Sequence, residues 1–495
     1  MENGPQAADS QKIAGVERRI REVTAALDET SKTLQRYSAE VQSLRAELEA
    51  LRTEGAALPA SGDRDIMPVI EPTTAEGNEA GGSLDALRAL HDEQVAQQAE
   101  IKQLDQTKAE VSSKYPLRIS GLVLFNAFAN AGVVDNAELP SVALYRYPGS
   151  SHGSNGATLR QTKLAFEAFG PLFAGARTSA ELSVDFFGGS SANASGYSAS
   201  DGTLRMRQAK ASMDWERTTV SAGYTEPLIS PLSPSSYATV AEPSLSGSGN
   251  LWTWAPQFSI EHRVSLSDSR IVALEAGIIY PTSPGYTSLQ LVSPVEASRR
   301  PAYEGRISYR TAGFSSDSIN HVVLGLSGYH GRQLYSGSTL INSWAIAGDW
   351  DVSITHRAEL SGEIYRGQAI GGLGGGAYKD ILSGLDMSTG LPRIAPVDAA
   401  GGWSQIKVRV INNFEVNAMF GVDDALSRSF DGLILDPTVN PLASYARNRS
   451  IIGNLIYRPR TYLVFSPEYR RILSWRYTGS ANIANIFTIS AGYQF

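Results

Sequence analysis

Three patterns in the sequence contain residue types that carry out catalysis or bind ligands in other proteins. Residues Gly149–Gly153 match the G-x-S-x-G pattern of a serine nucleophile, but that nucleophile needs a strand before it and a helix after it, and these residues lie in a Ser/Gly-rich stretch. Gly371–Gly376 lacks the Gly-Lys-Ser/Thr ending of a phosphate-binding loop, so we expect a flexible external loop. The six histidines show no metal-ligand spacing, and cysteine is absent. The sequence therefore predicts no enzyme activity, no metal site and no cofactor.

Charged residues at alternate positions of the predicted strands carry more informative chemistry. Alternate positions share one face of a strand, and a charged face lines water. Rings of Arg and Lys bias a pore toward anions, and opposed acidic and basic walls orient polar solutes. Ion pairs that only brace the wall explain the same pattern equally well. The predicted pore-lining and selectivity residues are Lys163, Arg205, Arg207, Arg306, Arg310, Arg357, Lys407, Arg409, Glu181, Asp185, Glu359 and Glu363, and further inward charges are Arg470, Glu304, Glu415 and Glu468.

Two of these residues, Arg205 and Arg207, are the best candidates for contact with an anion. They lie two residues apart on one predicted strand, so they share a face. The Pro/Ser-rich segment Pro227–Asn250 follows shortly after, and its composition makes it stiff enough to fold inward and narrow a pore.

The uneven distribution of aromatic residues divides the chain into two unlike parts, and the second part contains the charged side chains named above. The 495 residues include 7 Trp, 21 Tyr and 15 Phe, and of these only Tyr37 precedes Tyr115. The net charge is -7 without a basic block, which argues against nucleic acid as a partner. We therefore expect two different structures that meet near Tyr115.

The first part predicts a coiled coil. From Ile13 to Leu51, apolar residues recur with alternating spacings of three and four, a repeat that keeps one seam in contact only if the helices supercoil. Opposite charges at flanking positions, as in Glu40 and Arg45, favour parallel association of identical chains, whereas the mixed core leaves dimer and trimer open. A single amphipathic helix packed on a globular body is the alternative. The predicted core residues are Ile13, Val16, Ile20, Val23, Leu27, Leu34, Val41, Leu44, Leu48 and Leu51.

Composition then sets the domain boundaries. Residues 1–52 form the predicted oligomerisation helix, and residues 53–82, which carry Pro59, Pro68 and Pro72, form a Pro/Gly-rich linker. Residues 83–114 continue the heptads with Gln and Lys at core positions, which predicts a second, weaker coiled-coil helix. Residues 115–495 change to a period of two, which indicates β-structure.

This last part predicts an all-β transmembrane barrel of about sixteen antiparallel strands. Long connections follow most odd-numbered strands and short ones most even-numbered strands, as in outer-membrane barrels with external loops and periplasmic turns. A soluble adhesin or propeller is the alternative, but it explains neither this alternation nor the terminal Phe495. The strands are expected to begin near Leu117, Ala157, Ser179, Thr203, Thr218, Leu251, Ser269, Tyr303, Ile319, Thr339, Thr355, Trp403, Asn413, Arg449, Thr461 and Asn482.

The faces of the strands support a membrane barrel with a wet interior. In the last strand, Phe487 and Ile489 alternate with Thr488 and Ser490. An interior enclosed by about sixteen strands is too wide for side chains to fill, so we expect a channel. Aromatic residues near strand ends are expected to form girdles at the membrane interfaces, namely Tyr115, Trp215, Trp252, Trp254, Tyr280, Trp350, Trp403, Tyr457, Tyr462 and Tyr493.

Three short motifs, Arg160–Lys163, Asp185–Gly188 and Leu204–Ala209, together with the terminal Phe495, resemble those of a known family, the DcaP-like porins, whereas Leu124 stands where the family tends to carry a charge. The resemblance implies an N-terminal coiled coil combined with a sixteen-stranded trimeric outer-membrane barrel. It implies passive uptake of small, often anionic solutes such as dicarboxylates. It also implies that the coiled coil supports the trimer from the periplasm.

The leading hypothesis is a trimeric diffusion porin with modest anion preference in the outer membrane of a Gram-negative-type bacterium. The expected partners are further copies of the same chain, outer-membrane lipids and lipopolysaccharide, small solutes, and the barrel assembly machinery through Phe495, but not nucleic acid. One alternative is an envelope tether in which the coiled coil spans the periplasm. The other is an outer-membrane hydrolase that uses serine and histidine residues.

Overall fold

The computed structural model describes residues 116–189, 202–267, 269–283, 292–311, 321–335, 339–435 and 443–495. The predicted coiled-coil helix, the linker and the second helix lie outside these residues, so the fold below is that of the C-terminal part. Among the residues that the structure describes, no helix is long and apolar enough to cross a membrane.

The described elements are almost all strands. Two one-turn helices accompany them, α1 (Pro294–Ala297) and α2 (Gly375–Tyr378). The strands are β1 (Leu117–Ala131), β2 (Gly153–Thr158), β3 (Lys163–Phe173), β4 (Ala176–Asp185), β5 (Arg205–Asp214), β6 (Thr218–Thr225), β7 (Ala255–Ser267), β8 (Arg270–Ile279), β9 (Ala302–Thr311), β10 (Val322–Tyr335), β11 (Thr339–Thr355), β12 (Ala358–Gln368), β13 (Ile381–Asp386), β14 (Pro392–Pro396), β15 (Asp398–Ile411), β16 (Phe414–Ala425), β17 (Leu433–Leu435), β18 (Tyr445–Arg460), β19 (Leu463–Arg476) and β20 (Ala481–Gln494).

Antiparallel pairing closes these strands into a barrel. Each strand pairs with the next along the wall, and β20 pairs back onto β1 from Leu122↔Gln494 to Ala131↔Asn485. Strands β2 and β3 both pair with β1, one with each half, so they form a single wall position interrupted at residues 159–162. The wall therefore has sixteen positions. The predicted barrel of sixteen antiparallel strands is confirmed, and each predicted strand start lies within about five residues of an observed one.

Alternation of side chains between the two faces explains why this sequence forms such a wall. In β20, Thr488 and Ser490 are buried, whereas Phe487 is 56% exposed and Ile489 is 64% exposed. A soluble sheet would bury the large apolar residues and expose the hydroxyls. The reversed pattern suits a wall with lipid outside and a polar interior.

Described parts of two long connections form regular structure of their own. Strands β13, β14 and β17 form a separate three-stranded sheet in the connections after β12 and β16. The glycine run Gly371–Gly376 was expected to be a flexible external loop, and that expectation is wrong. It packs inside, where Leu373 is 1% exposed, because residues without a Cβ let the backbone at Gly371 approach residues 379–380 closely.

Candidate functional site: the lumen and its inner segment

One connection crosses the interior of the barrel. We call residues 226–254, between β6 and β7, the inner segment; it contains the predicted Pro227–Asn250. At its start, the backbone N–H groups of Leu228 and Ile229 donate to Glu304 at 2.9 and 3.4 Å. The Ser230 hydroxyl donates to Glu363 at 2.5 Å. The segment thus folds inward, as its composition predicted, and the carboxylates of β9 and β12 hold it.

The middle of the inner segment reaches the other side of the barrel. The Ser235 N–H donates to the Gln405 side chain of β15 at 2.7 Å, and the Ser236 hydroxyl donates to Glu468 of β19 at 2.5 Å. Farther along, the Ser248 hydroxyl lies 2.9 Å from the Ser450 hydroxyl of β18. Contacts with β9, β12, β15, β18 and β19 mean that the segment spans the lumen rather than lining one wall.

Part of the lumen is consequently filled, which corrects the expectation that its whole polar face lines water. Inward residues Tyr329, Ala345 and Tyr365 pack in one buried cluster with Ile229 and Leu251 of the inner segment. Three of the predicted girdle residues also lie inside, and one of them, Trp252 of the inner segment, packs against Trp254 with ring centroids 5.5 Å apart. Trp403 is 2% exposed and packs with Leu245, and Trp254 is 8% exposed.

Two of the three internal motifs of the family resemblance contact the turn of the inner segment around residues 238–241, and the third supplies Asp185, which binds the arginines of one of them. Gln161, where the wall is interrupted, donates to the carbonyl of Ala238 and accepts from the N–H of Ala241, both at 3.0 Å. From β5, Arg205 donates to the carbonyl of Ala241 at 2.6 Å, and Arg207 donates to that of Val240 at 2.7 Å. These motifs are far apart in sequence but together clamp one turn against the wall.

Asp185 organises the two predicted anion-contact residues. Its buried carboxylate accepts from Arg205 at 3.0 and 2.7 Å and from Arg207 at 2.8 Å. Two cations share one anion, so the group carries one net positive charge. The side chains of Arg205 and Arg207 are 24% and 12% exposed, so this charge partly faces the solvent.

Aromatic rings complete this arginine cluster. The guanidinium carbon of Arg207 lies 4.6 Å from the Trp254 ring centroid, and that of Arg205 lies 5.2 Å from the same centroid. Phe187 is flanked by Arg205 at 5.5 Å and by Arg160 at 4.5 Å. Such cation–π contacts hold the arginines in place without neutralising them.

A chain of ion pairs holds other predicted residues along the wall from β7 to β11. Arg306 pairs with Asp349 at 2.7 Å and with Glu275 at 3.0 Å, and it is almost completely buried. Arg310 pairs with Glu261 at 3.0 Å and also contacts Glu275. These two arginines are engaged by carboxylates and brace the wall.

The remaining predicted residues divide between opposite walls. Glu181, together with Glu226, Glu261 and Glu275, lines a cavity of about 270 Å³ beside β4–β8. Across the closed barrel, Lys407 of β15 pairs with Glu359 of β12 at 2.9 Å. Two further cations share that opposite wall, Arg409 of β15 and Arg458 of β18. Cations and carboxylates occur on both sides, because Lys210 lies 3.8 Å from Glu181 at the cavity and Arg458 lies 3.9 Å from Glu415 on the opposite wall. The field across the lumen therefore stays a prediction.

Other predicted residues are separated from these groups. Arg357 lies in the turn between β11 and β12, where it donates to the carbonyl of Val410 at 3.3 Å. Arg470 is buried and donates to the carbonyl of Pro140 at 2.9 Å. Lys163 lines a second cavity of about 320 Å³ with Tyr237 of the inner segment. Tyr237 and Gln161 were missed by sequence reasoning because both lie outside the alternating pattern.

The catalytic and metal-binding patterns acquire little new support. Ser151 precedes strand β2 and does not follow a strand, which is the reverse of a nucleophile elbow. The fold does bring His321 to 3.0 Å from Asp351, with Glu359 nearby, so that the three potential ligand atoms lie within 4.8 Å of one another. Glu359 is already paired with Lys407.

Burial also changes the protonation of one carboxyl in the inner segment. Desolvation raises the pKa of Glu242 to about 7, against the opposing effect of nearby Arg205. This carboxyl is therefore close to half-ionised at neutral pH, next to the arginine cluster.

The closed sixteen-stranded wall with a segment folded across its interior defines the fold of porin-like outer-membrane channels. Among solved structures, the outer membrane channel DcaP of Acinetobacter baumannii shares this fold with a TM-score of 0.57 and 16% identity, over 77% of this chain and 99% of that one. OmpF of Salmonella typhi in complex with daunomycin follows with a TM-score of 0.48 and 8% identity, over 78% and 99%. An anion-selective porin from Comamonas acidovorans has a TM-score of 0.45 and 11% identity, over 77% and 100%. No protein-family model and no curated protein matches the chain.

Proposed function

We propose that the protein is an outer-membrane porin for passive diffusion of small, hydrophilic, preferentially anionic solutes of the dicarboxylate type. The observation that carries the proposal is the shared use of Asp185 by Arg205 and Arg207, which leaves one net positive charge beside the turn of the inner segment. Fixed cations at a narrow point favour anions. The proposal assigns the protein no reaction and no cofactor.

Conductance of the purified protein in a planar bilayer under a salt gradient tests this proposal. We expect stepwise conductance and a reversal potential that favours chloride. A folded, inserted protein without conductance would overturn the channel. Conductance that favours potassium would keep the channel but overturn the anion preference.

We further propose that the channel is a homotrimer supported by the predicted periplasmic coiled coil. The DcaP-like resemblance supports this, as do the uninterrupted heptads of residues 13–51. Ile20→Asp together with Leu27→Asp places charges in the predicted seam, and mass photometry in detergent should then detect fewer trimers. A matched double substitution at exposed heptad positions, Arg21→Asp with Asp28→Arg, should leave the trimer intact. Equal trimer fractions in all three proteins would contradict a role for the coiled coil.

A further inference from the structure

We infer that the outer wall of the barrel binds the phosphates of lipopolysaccharide at a site formed by Arg449, Arg471 and Asn485, on strands β18, β19 and β20. The inference rests on the proposed outer-membrane orientation, in which the long connections face outward. It concerns the lipid-facing surface and not the lumen.

Alternating burial places the three side chains on the outer face. Inward-facing Asn448, Ser450, Arg470, Ile472, Ala484 and Ile486 are all buried. Arg449 lies between Asn448 and Ser450 of β18. Arg471 lies between Arg470 and Ile472 of β19, and Asn485 lies between Ala484 and Ile486 of β20. Because successive strand residues point to opposite faces, these three side chains point away from the lumen.

Strand register brings the three side chains together. Arg471 pairs directly with Asn485 on one side and with Ile451 on the other. Arg449 lies two residues from Ile451, so its Cα lies diagonally about 7–8 Å from that of Arg471. Two long arginine side chains at that separation can contact the same phosphate group.

These groups are available to a ligand, unlike a neighbouring arginine. Outward-facing Arg447 is paired with Asp424, with its Nε 3.0 Å from a carboxylate oxygen. Within the described part of the chain, neither Arg449 nor Arg471 has a carboxylate within 4.0 Å. The Tyr469 hydroxyl donates to Asn485 Oδ1 at 2.9 Å, which directs that amide and leaves its NH₂ group for an acceptor.

Position along the strands puts the site at the edge of the apolar band. Toward the turns, the outward residues of β18 are apolar and exposed, including Ile451, Leu455 and Tyr457. Trp475, a ring type typical of membrane interfaces, lies 5.1 Å from the guanidinium carbon of Arg449. An unpaired arginine on a lipid-facing strand strongly destabilises a barrel at the bilayer midplane but costs little near the interface.

A phosphate at this depth fits the site better than water or an apolar chain does. Arginine binds phosphate through two parallel charge-assisted hydrogen bonds, which a lysine could not reproduce. Basic sites on membrane proteins bind lipid head groups in the same way. On the outer side of the outer membrane, the phosphates available at this depth are those of lipopolysaccharide.

Native mass spectrometry of the full-length protein with diphosphoryl lipid A tests the inference. We expect Arg449→Gln with Arg471→Gln to weaken binding at least tenfold, and monophosphoryl lipid A to bind the wild type more weakly than the diphosphoryl form. Arg332→Gln is the matched control, because Arg332 lies between buried Gly331 and Gln333 and faces outward from β10 on another part of the wall. Heat-modifiability on gels checks that each variant is folded.

Three outcomes would overturn the inference. In the first, the double variant binds diphosphoryl lipid A as tightly as the wild type does. In the second, phosphatidylglycerol binds the wild type as tightly as diphosphoryl lipid A does. In the third, the double variant changes only the oligomeric state, and this result would assign the patch to contact between copies of the chain. Failure of the channel proposal is detected separately, because it is judged by bilayer conductance and not by lipid binding.

Discussion

The aromatic ring of Phe495 lies directly against Gly121. The two residues exchange backbone hydrogen bonds, from Gly121 N–H to Phe495 O at 2.8 Å and from Phe495 N–H to Gly121 O at 3.0 Å. A Cβ on Gly121 would lie 2.6 Å from Cζ of that ring and 3.0 Å from the carbonyl oxygen of Lys163. Phe495 therefore extends the seam between the first and last strands at a place where a methyl group would press against its ring.

Gly121→Ala should weaken this seam. The new methyl group must displace the Phe495 ring, and overpacking of this kind costs about 1–3 kcal/mol. We expect a lower free energy of unfolding in urea and slower folding into lipid vesicles. Gly453→Ala is the control, because a Cβ at Gly453, in β18, meets nothing within 4 Å. Equal stability of both variants would show that the contact does not hold the seam.

Removing the negative charge of Asp185 should increase the anion preference. Asp185→Asn leaves two partly exposed guanidinium groups where one net charge stood, so the reversal potential should shift further toward chloride. Arg205→Gln with Arg207→Gln should shift it the other way. Asp349→Asn provides a matched control, because the arginine that it releases, Arg306, is 3% exposed and keeps Glu275 as a partner. If the two Asp→Asn variants shift the potential equally, the arginine cluster is not the selectivity element.

Loss of the Gln161 clamp should loosen the inner segment. Gln161→Ala removes two hydrogen bonds to the turn at residues 238–241 and leaves buried backbone groups without partners, at about 1–3 kcal/mol each. We expect noisier single-channel traces and a larger mean conductance. Gln208→Ala, at a half-buried position of β5 that lines the cavity beside β4–β8, is the control and should behave like the wild type. Quiet traces of unchanged amplitude from the Gln161 variant would contradict the clamp.

Local patterns predicted the wall of this protein well and its interior poorly. Period-two alternation depends only on neighbouring residues, so it identified sixteen strands and the inward face of Gln405 and Lys407. Trp403 was predicted as a girdle residue from its ring type, and that prediction is wrong; its position two residues before Gln405, on the same face of β15, contained the signal for its inward side chain. By contrast, the shared use of Asp185 depends on strand register, including a bulge at residues 183–184 in β4, and on the fold of the inner segment. No pattern within one strand contains that information.

The anion preference should fall as pH rises through neutrality. Desolvation raises the pKa of Glu242 to about 7, so the carboxyl is mostly neutral at pH 6 and mostly charged at pH 8. The charged form adds a negative charge beside Arg205 and offsets part of the positive field, so the chloride preference should be greater at pH 6 than at pH 8. Glu242→Gln should keep the low-pH preference across this range. The charged or titratable groups whose fields reach Glu242 are Arg205, Asp185, Asp135, Arg470 and Tyr378.

Comparing the reversal potentials of the wild type and Glu242→Gln across this pH range separates the effect of the Glu242 carboxyl from that of other titrating groups. Any pH effect that comes from other titrating groups, or from the lipid, appears in both the wild type and Glu242→Gln. Only the part that the variant loses belongs to Glu242. Parallel pH profiles of reversal potential in the two proteins would mean that this carboxyl does not act on the permeating ions, even though it lies beside the arginine cluster.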